Sequence, residues 1–89
     1  MNWRFILTPS AEKDIRRLDR LAAERIEGKL AWLADHFEEL IPFALHGKYA
    51  GSFKLRAGDW RIVYEIDHHA QTVWVLNIKH RSEVYKKRR

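Results

Sequence analysis

Three cations, Lys54, Arg56 and Arg61, stand where side chains of one sign should repel one another. They lie in SFKLRAGDWRIVYEID, residues 52–67, on two alternating runs joined at Gly58-Asp59. In the first run Phe53, Leu55 and Ala57 alternate with Ser52, Lys54 and Arg56. In the second, Trp60, Ile62, Tyr64 and Ile66 alternate with Arg61, Val63 and Glu65. Period-two patterning marks half-buried strands. A two-residue turn at Gly58-Asp59, where glycine accepts positive φ, sets Ala57 opposite Trp60, Leu55 opposite Ile62 and Phe53 opposite Tyr64. One face is then wholly apolar, and Tyr64 belongs to it. On the other face Arg56 falls opposite Arg61, Lys54 opposite Val63 and Ser52 opposite Glu65. Like charges directly opposed across strands are destabilising, so this face reads as one built to hold an anion. A solvated polar face is the plainer alternative. Arginine suits phosphate because its planar fork donates two hydrogen bonds and keeps its charge, and a lysine beside it can serve as a base or as electrostatic support.

The elements that must position this hairpin follow from the flanking pattern. Residues 2–8 alternate Trp3, Phe5 and Leu7 with polar neighbours and predict a first strand. Thr8-Pro9 reads as an N-cap followed by proline at the first helical position. Ala11, Ile15 and Leu18 recur at helical spacing, with Lys13, Arg16, Arg17 and Arg20 towards solvent, and a break is expected near residues 19–21. A second helix carries Ala22, Ile26, Leu30, Leu33 and Phe37 on one stripe. Residues 41–51, punctuated by Pro42, Gly47 and Gly51, read as a loop. After a polar turn at residues 68–71, Val73 to Lys79 reads as a last strand, apolar on both sides and therefore central or covered by helices. Ser82 is the expected cap of a short terminal helix that runs into the basic tail Lys86 to Arg89. The expected fold is α+β: a small, mostly antiparallel four-stranded sheet in the order β-α-α-β-β-β-α, with a helical hairpin packed on one face and a short C-terminal helix. The tryptophans at positions 3, 32, 60 and 74 are expected mostly in the core, with Trp32 able to face a partner.

The 89 residues are enough for one domain. Seventeen Lys and Arg against twelve Asp and Glu give a formal net charge of +5, with many of the cations between Lys48 and Arg89. That balance suggests an RNA, a DNA or an acidic protein as partner. The absence of cysteine rules out a disulfide framework and a thiolate metal site, and fits a cytoplasmic protein. His36, His46, His68 and His69 lack ligand spacing on a common element, so neither a metal nor a cofactor is expected. No segment approaches the roughly 20 apolar residues of a membrane span.

The residues GSFKLRAGDWRIVYEI followed by NIKHRSEVYKK, with this order of elements, resemble the RelE branch of the RelE/ParE toxin superfamily. The similarity spans nearly the whole chain. Its most specific parts are the Lys54-x-Arg56 strand, the Gly58-x-x-Arg61-x-x-Tyr64 hairpin and the closing His80-Arg81-x-x-x-Tyr85. The resemblance implies a small toxin paired with an antitoxin, in a branch that cleaves messenger RNA in the ribosomal decoding site. It carries Lys54 and Arg61 onto catalytic positions of the sheet, Lys79 or Arg81 onto a basic position at the end of the last strand, and Tyr85 onto a terminal-helix tyrosine. Ser52 departs from the family type, which has a second lysine there.

Such cleavage would use the ribose 2′-hydroxyl as an internal nucleophile. The protein must then help remove its proton, stabilise extra charge on the phosphate and protonate the leaving 5′-oxygen. Arg61 is the expected clamp, Lys54 the base or electrostatic support, Arg81 a further catalytic cation, and Tyr85 or His80 the proton donor. Arg56, Lys79, Lys48, Lys86 and Lys87 are expected to bind RNA, mostly through backbone phosphates. The expected partners are an acidic antitoxin in a hetero-oligomer, messenger RNA and the ribosome. Two other readings stay open: a ParE-like toxin that poisons DNA gyrase through protein contacts, and a non-catalytic RNA-binding module.

Overall fold

Among the described residues a five-stranded sheet in the order β1-β5-β4-β3-β2 carries two α-helices on one face. The computed structural model describes residues 3–39 and 42–82. Strand β1 (Arg4–Leu7) leads into helix α1 (Pro9–Arg16), α2 (Arg20–His36), the edge strand β2 (Phe43–Ala44) and the meander β3 (Phe53–Ala57), β4 (Trp60–Asp67) and β5 (Thr72–His80). All neighbouring pairs are antiparallel except β1 with β5. The fold class is the expected α+β. The strand count is five instead of four, because Phe43–Ala44 pairs with Phe53–Lys54 inside the stretch read as a loop. Two residues show no periodicity of their own, and only the tertiary partner makes them a strand.

Local chemistry sets the helix ends. The Thr8 hydroxyl accepts the Ala11 N–H at 3.2 Å and lies 3.0 Å from the Val75 carbonyl, to which it can donate, so one side chain both caps α1 and ties it to β5. Asp19 caps α2 by accepting the Ala22 N–H at 2.8 Å, so the break covers residues 17–19, slightly ahead of the expected 19–21. Ile26, Leu30 and Leu33 of α2 are buried. One core cluster joins Ile26 and Leu30 to Ala57, Ile62, Val75 and Ile78, and a second joins Leu33 and Phe37 to Tyr64 and Val73. Trp3 and Trp60 pack against these clusters, whereas Trp32 and Trp74 are exposed. Trp74 stands on the helix-free side, so the expectation that it lies in the core is corrected. No described helix is long and apolar enough to cross a membrane.

Tyr64 is 1% exposed, stacked on Phe53 and edge-on to Phe37. Its hydroxyl finds no hydrogen-bond partner among the described residues, and burial pushes its pKa up from 10.0 to about 12. The motif tyrosine is thus part of the core, as its alternation requires.

Candidate functional site: a cation row on the open face of the sheet

The β3–β4 hairpin has the register the sequence dictates: Ala57 pairs with Trp60, Arg56 with Arg61, Leu55 with Ile62, Lys54 with Val63 and Phe53 with Tyr64. Gly58 at φ 63 supplies the positive φ that the first turn position needs. Its apolar side chains face the helices, so Lys54, Arg56 and Arg61 project from the opposite face, which no described helix covers.

A β-bulge extends the row. Val63 pairs with Asn77 but Tyr64 pairs with Val75, so Leu76 is the extra residue of β5. Unbroken alternation from the buried Val73 and Val75 would have sent Lys79 towards the helices. The bulge reverses the parity, burying Ile78 and setting Lys79 beside Arg61 on the open face. Arg56, Arg61 and Lys79 therefore form a row across three adjacent strands, with about 4.8 Å between neighbouring strands.

A counter-charge reaches Lys79 from the helix layer. Asp14 of α1 is buried, accepts the Ile78 N–H at 2.9 Å and lies 3.4 Å from Lys79 Nζ. β1 stops pairing at Val75, and Asp14 takes the β5 N–H beyond its end. Sequence reasoning missed this carboxylate. Its signal was a position between Ala11 and Ile15 on the buried stripe of α1, where an acid needs a partner. Lys79 is consequently shared between the open face and a structural ion pair.

Phe43 was missed as well, since its role depends on β2. It pairs with Lys54, and Lys54 Nζ sits 4.7 Å from the Phe43 ring centroid. That contact is one an ammonium makes with an aromatic face. Ser52, at the position where the resemblance expects a lysine, is buried, with its hydroxyl 3.5 Å from Glu65 Oε2. Its surroundings are structural.

The remaining candidates divide. Arg81 is exposed, and its backbone N–H donates to the Asp59 carbonyl at 2.8 Å, which holds it at the hairpin-turn end of the row. His80 pairs with Trp60 and shares its helix-side face, its ring edge-on to the indole at 5.0 Å. Its Nδ1 accepts the Ser82 N–H at 3.1 Å and lies 2.9 Å from the Ser82 hydroxyl, so His80 itself starts the helical turn that begins at Arg81. Ser82 was expected as that cap; it sits inside the turn. The strands therefore do not bring His80 to the face of Lys54 and Arg61. Tyr85, Lys86, Lys87 and the rest of the expected terminal helix lie outside the described residues, as does the side chain of Lys48.

Over residues 5–85 the chain matches the family model for the ParE toxin of the type II toxin-antitoxin system parDE. It belongs to the RelE/ParE toxin superfamily. Toxin RelG of Mycobacterium tuberculosis is 32% identical over 82 residues, covering 90% of this chain and 92% of that protein. Among solved structures, a chain of the M. tuberculosis toxin-antitoxin complex RelBE2 superposes with a TM-score of 0.76 at 28% identity, covering 91% of this toxin and 100% of that chain. The isolated Escherichia coli RelE toxin superposes with a TM-score of 0.70 at 25% identity, covering 96% of this toxin and 93% of that chain. The toxin's cation row is thus carried on a scaffold shared with RelE toxins.

Proposed function

We propose that this toxin is a messenger-RNA endoribonuclease acting on the ribosome, held inactive in a hetero-oligomer by an acidic antitoxin. The observation that carries the reading is the row Arg56, Arg61 and Lys79 with Lys54 beside it, gathered by hairpin register and bulge on a face no described helix covers. Cations gathered on one face of a sheet favour an anionic ligand there. Arg61 donates its fork to the scissile phosphate, Arg56 and Lys79 position the neighbouring backbone, and Lys54 stabilises the charge that builds on the non-bridging oxygens. The 2′-hydroxyl passes its proton to solvent water, O2′ bonds to phosphorus as the P–O5′ bond breaks, and the 5′-oxygen leaves with a proton from Tyr85. The products are a 2′,3′-cyclic phosphate and a 5′-hydroxyl. Tyr85 is the assigned proton donor, Arg81 supplies further positive charge, and Lys48, Lys86 and Lys87 add general electrostatic attraction. The M. tuberculosis neighbour is a toxin-antitoxin complex, which supports an antitoxin for this toxin too, and its own charge of +5 favours an acidic one.

The match to a ParE family model supports one other reading, a gyrase poison acting through protein contacts. A cell-free translation assay separates the two. Messenger cut on ribosomes, lost on Arg61→Ala, supports the nuclease; intact messenger with gyrase trapped on DNA supports the alternative.

A further inference from the structure

Phe43 is 63% exposed, more than any other described Phe, Tyr or Trp, and it stands at the edge of the cation face. It belongs to neither core cluster, and its strand is a two-residue edge that gains little from an apolar side chain in water. Its one aromatic contact of note is with a charge, Lys54 Nζ at 4.7 Å from the ring centroid. The register puts Phe43 opposite Lys54, and Lys54 two residues from Arg56, about 7 Å along the strand. An exposed flat ring next to a row of cations is the pairing that single-stranded nucleic acids select, with bases stacked on the ring and phosphates on the charges. Duplex RNA would offer the ring no base face.

We propose that Phe43 is a base-stacking platform for single-stranded RNA, with the neighbouring phosphates on Lys54, Arg56 and Arg61. The proposal rests on the RNA reading above and deepens it by naming a subsite. Stacking contributes no counterion release, whereas each phosphate contact does. The ring and the cations therefore leave separable signatures.

The test is binding of the full chain, by fluorescence anisotropy, to short single-stranded RNA made 2′-O-methyl so that it cannot be cut. A matched series carries one abasic position at each site in turn. The parent is expected to lose roughly tenfold to a hundredfold in affinity at one abasic position. Phe43→Ala should bind the intact oligonucleotide correspondingly weakly, lose sensitivity to that position and keep the parent's salt slope. Phe43→Trp should restore both affinity and sensitivity. Arg56→Ala should instead lower the salt slope by about one contact and keep the abasic response. Melting curves control for folding. If Phe43→Ala binds as the parent does, or stays equally sensitive to the abasic position while Arg56→Ala weakens binding, the platform is overturned and the RNA reading stands, leaving the ring to a protein partner. Failure of the parent to bind the free oligonucleotide overturns the platform, while the ribosomal cleavage assay above decides the RNA reading separately.

Discussion

Replacing Asp14 tests whether the sheet's cation face is anchored from the helix layer. The carboxylate accepts the buried Ile78 N–H at 2.9 Å and faces Lys79 Nζ at 3.4 Å. Asp14→Ala removes a hydrogen bond to a charged group, worth about 1.5–3 kcal/mol, and leaves a buried N–H without an acceptor, a further cost of about 1–3 kcal/mol. The Lys79 contribution is small because that side chain is 40% exposed. Allowing for overlap, the loss should be about 3–4 kcal/mol. That is a large part of the stability of an 89-residue chain, roughly 5–13 kcal/mol. The melting temperature should fall by roughly 12–25 °C. Asp14→Asn keeps an acceptor for Ile78 and loses only the charge, so it should cost about 1 kcal/mol. Glu12→Ala, exposed on the same helix, should stay within about 0.5 kcal/mol of the parent. Urea denaturation of the parent and the three variants gives the comparison directly. Equal stability of Asp14→Ala and Glu12→Ala would refute the account of β5 being completed by α1.

Arg61→Ala and Lys54→Ala should each slow messenger cleavage about a hundredfold to a thousandfold while shifting stability by no more than about 1 kcal/mol. Ile62→Ala, one position along but fully buried, should cost roughly 2–5 kcal/mol of stability; near-normal cleavage by both charge variants would remove the catalytic assignment. Tyr64 is protonated in both states below about pH 10, but from about pH 10 to about 12 the unfolded chain releases this proton first. Stability should therefore fall by roughly 2–3 kcal/mol across that interval. Tyr64→Phe should remove this component, read from denaturation midpoints on either side of the interval, and should match or exceed the parent at neutral pH because the lost hydroxyl has no described partner. Deleting Lys86 to Arg89 should weaken RNA association and flatten its salt dependence without moving the cleavage positions, as primer extension would show.

The hairpin was legible in the sequence because a strict two-residue alternation and a glycine at the turn leave a single register. That register fixed the placement of Lys54, Arg56 and Arg61 on one face and of Tyr64 on the other. The helix start at Thr8 was legible for a similar reason, since a cap is a contact across three residues; Asp19 was read only as part of a break and not as the cap it is. What the sequence could not decide are the features that depend on partners far along the chain. β2 exists because β3 is beside it. The bulge at Leu76 reverses the parity of β5, putting Lys79 with Arg61 and His80 with Trp60; no local signal marks it, because β5 is apolar on both sides. Asp14 has its acceptor role only where β1 ends short of Ile78. Local periodicity determines which residues share a face within one strand, but the sheet's own register, bulge and edges determine which faces meet.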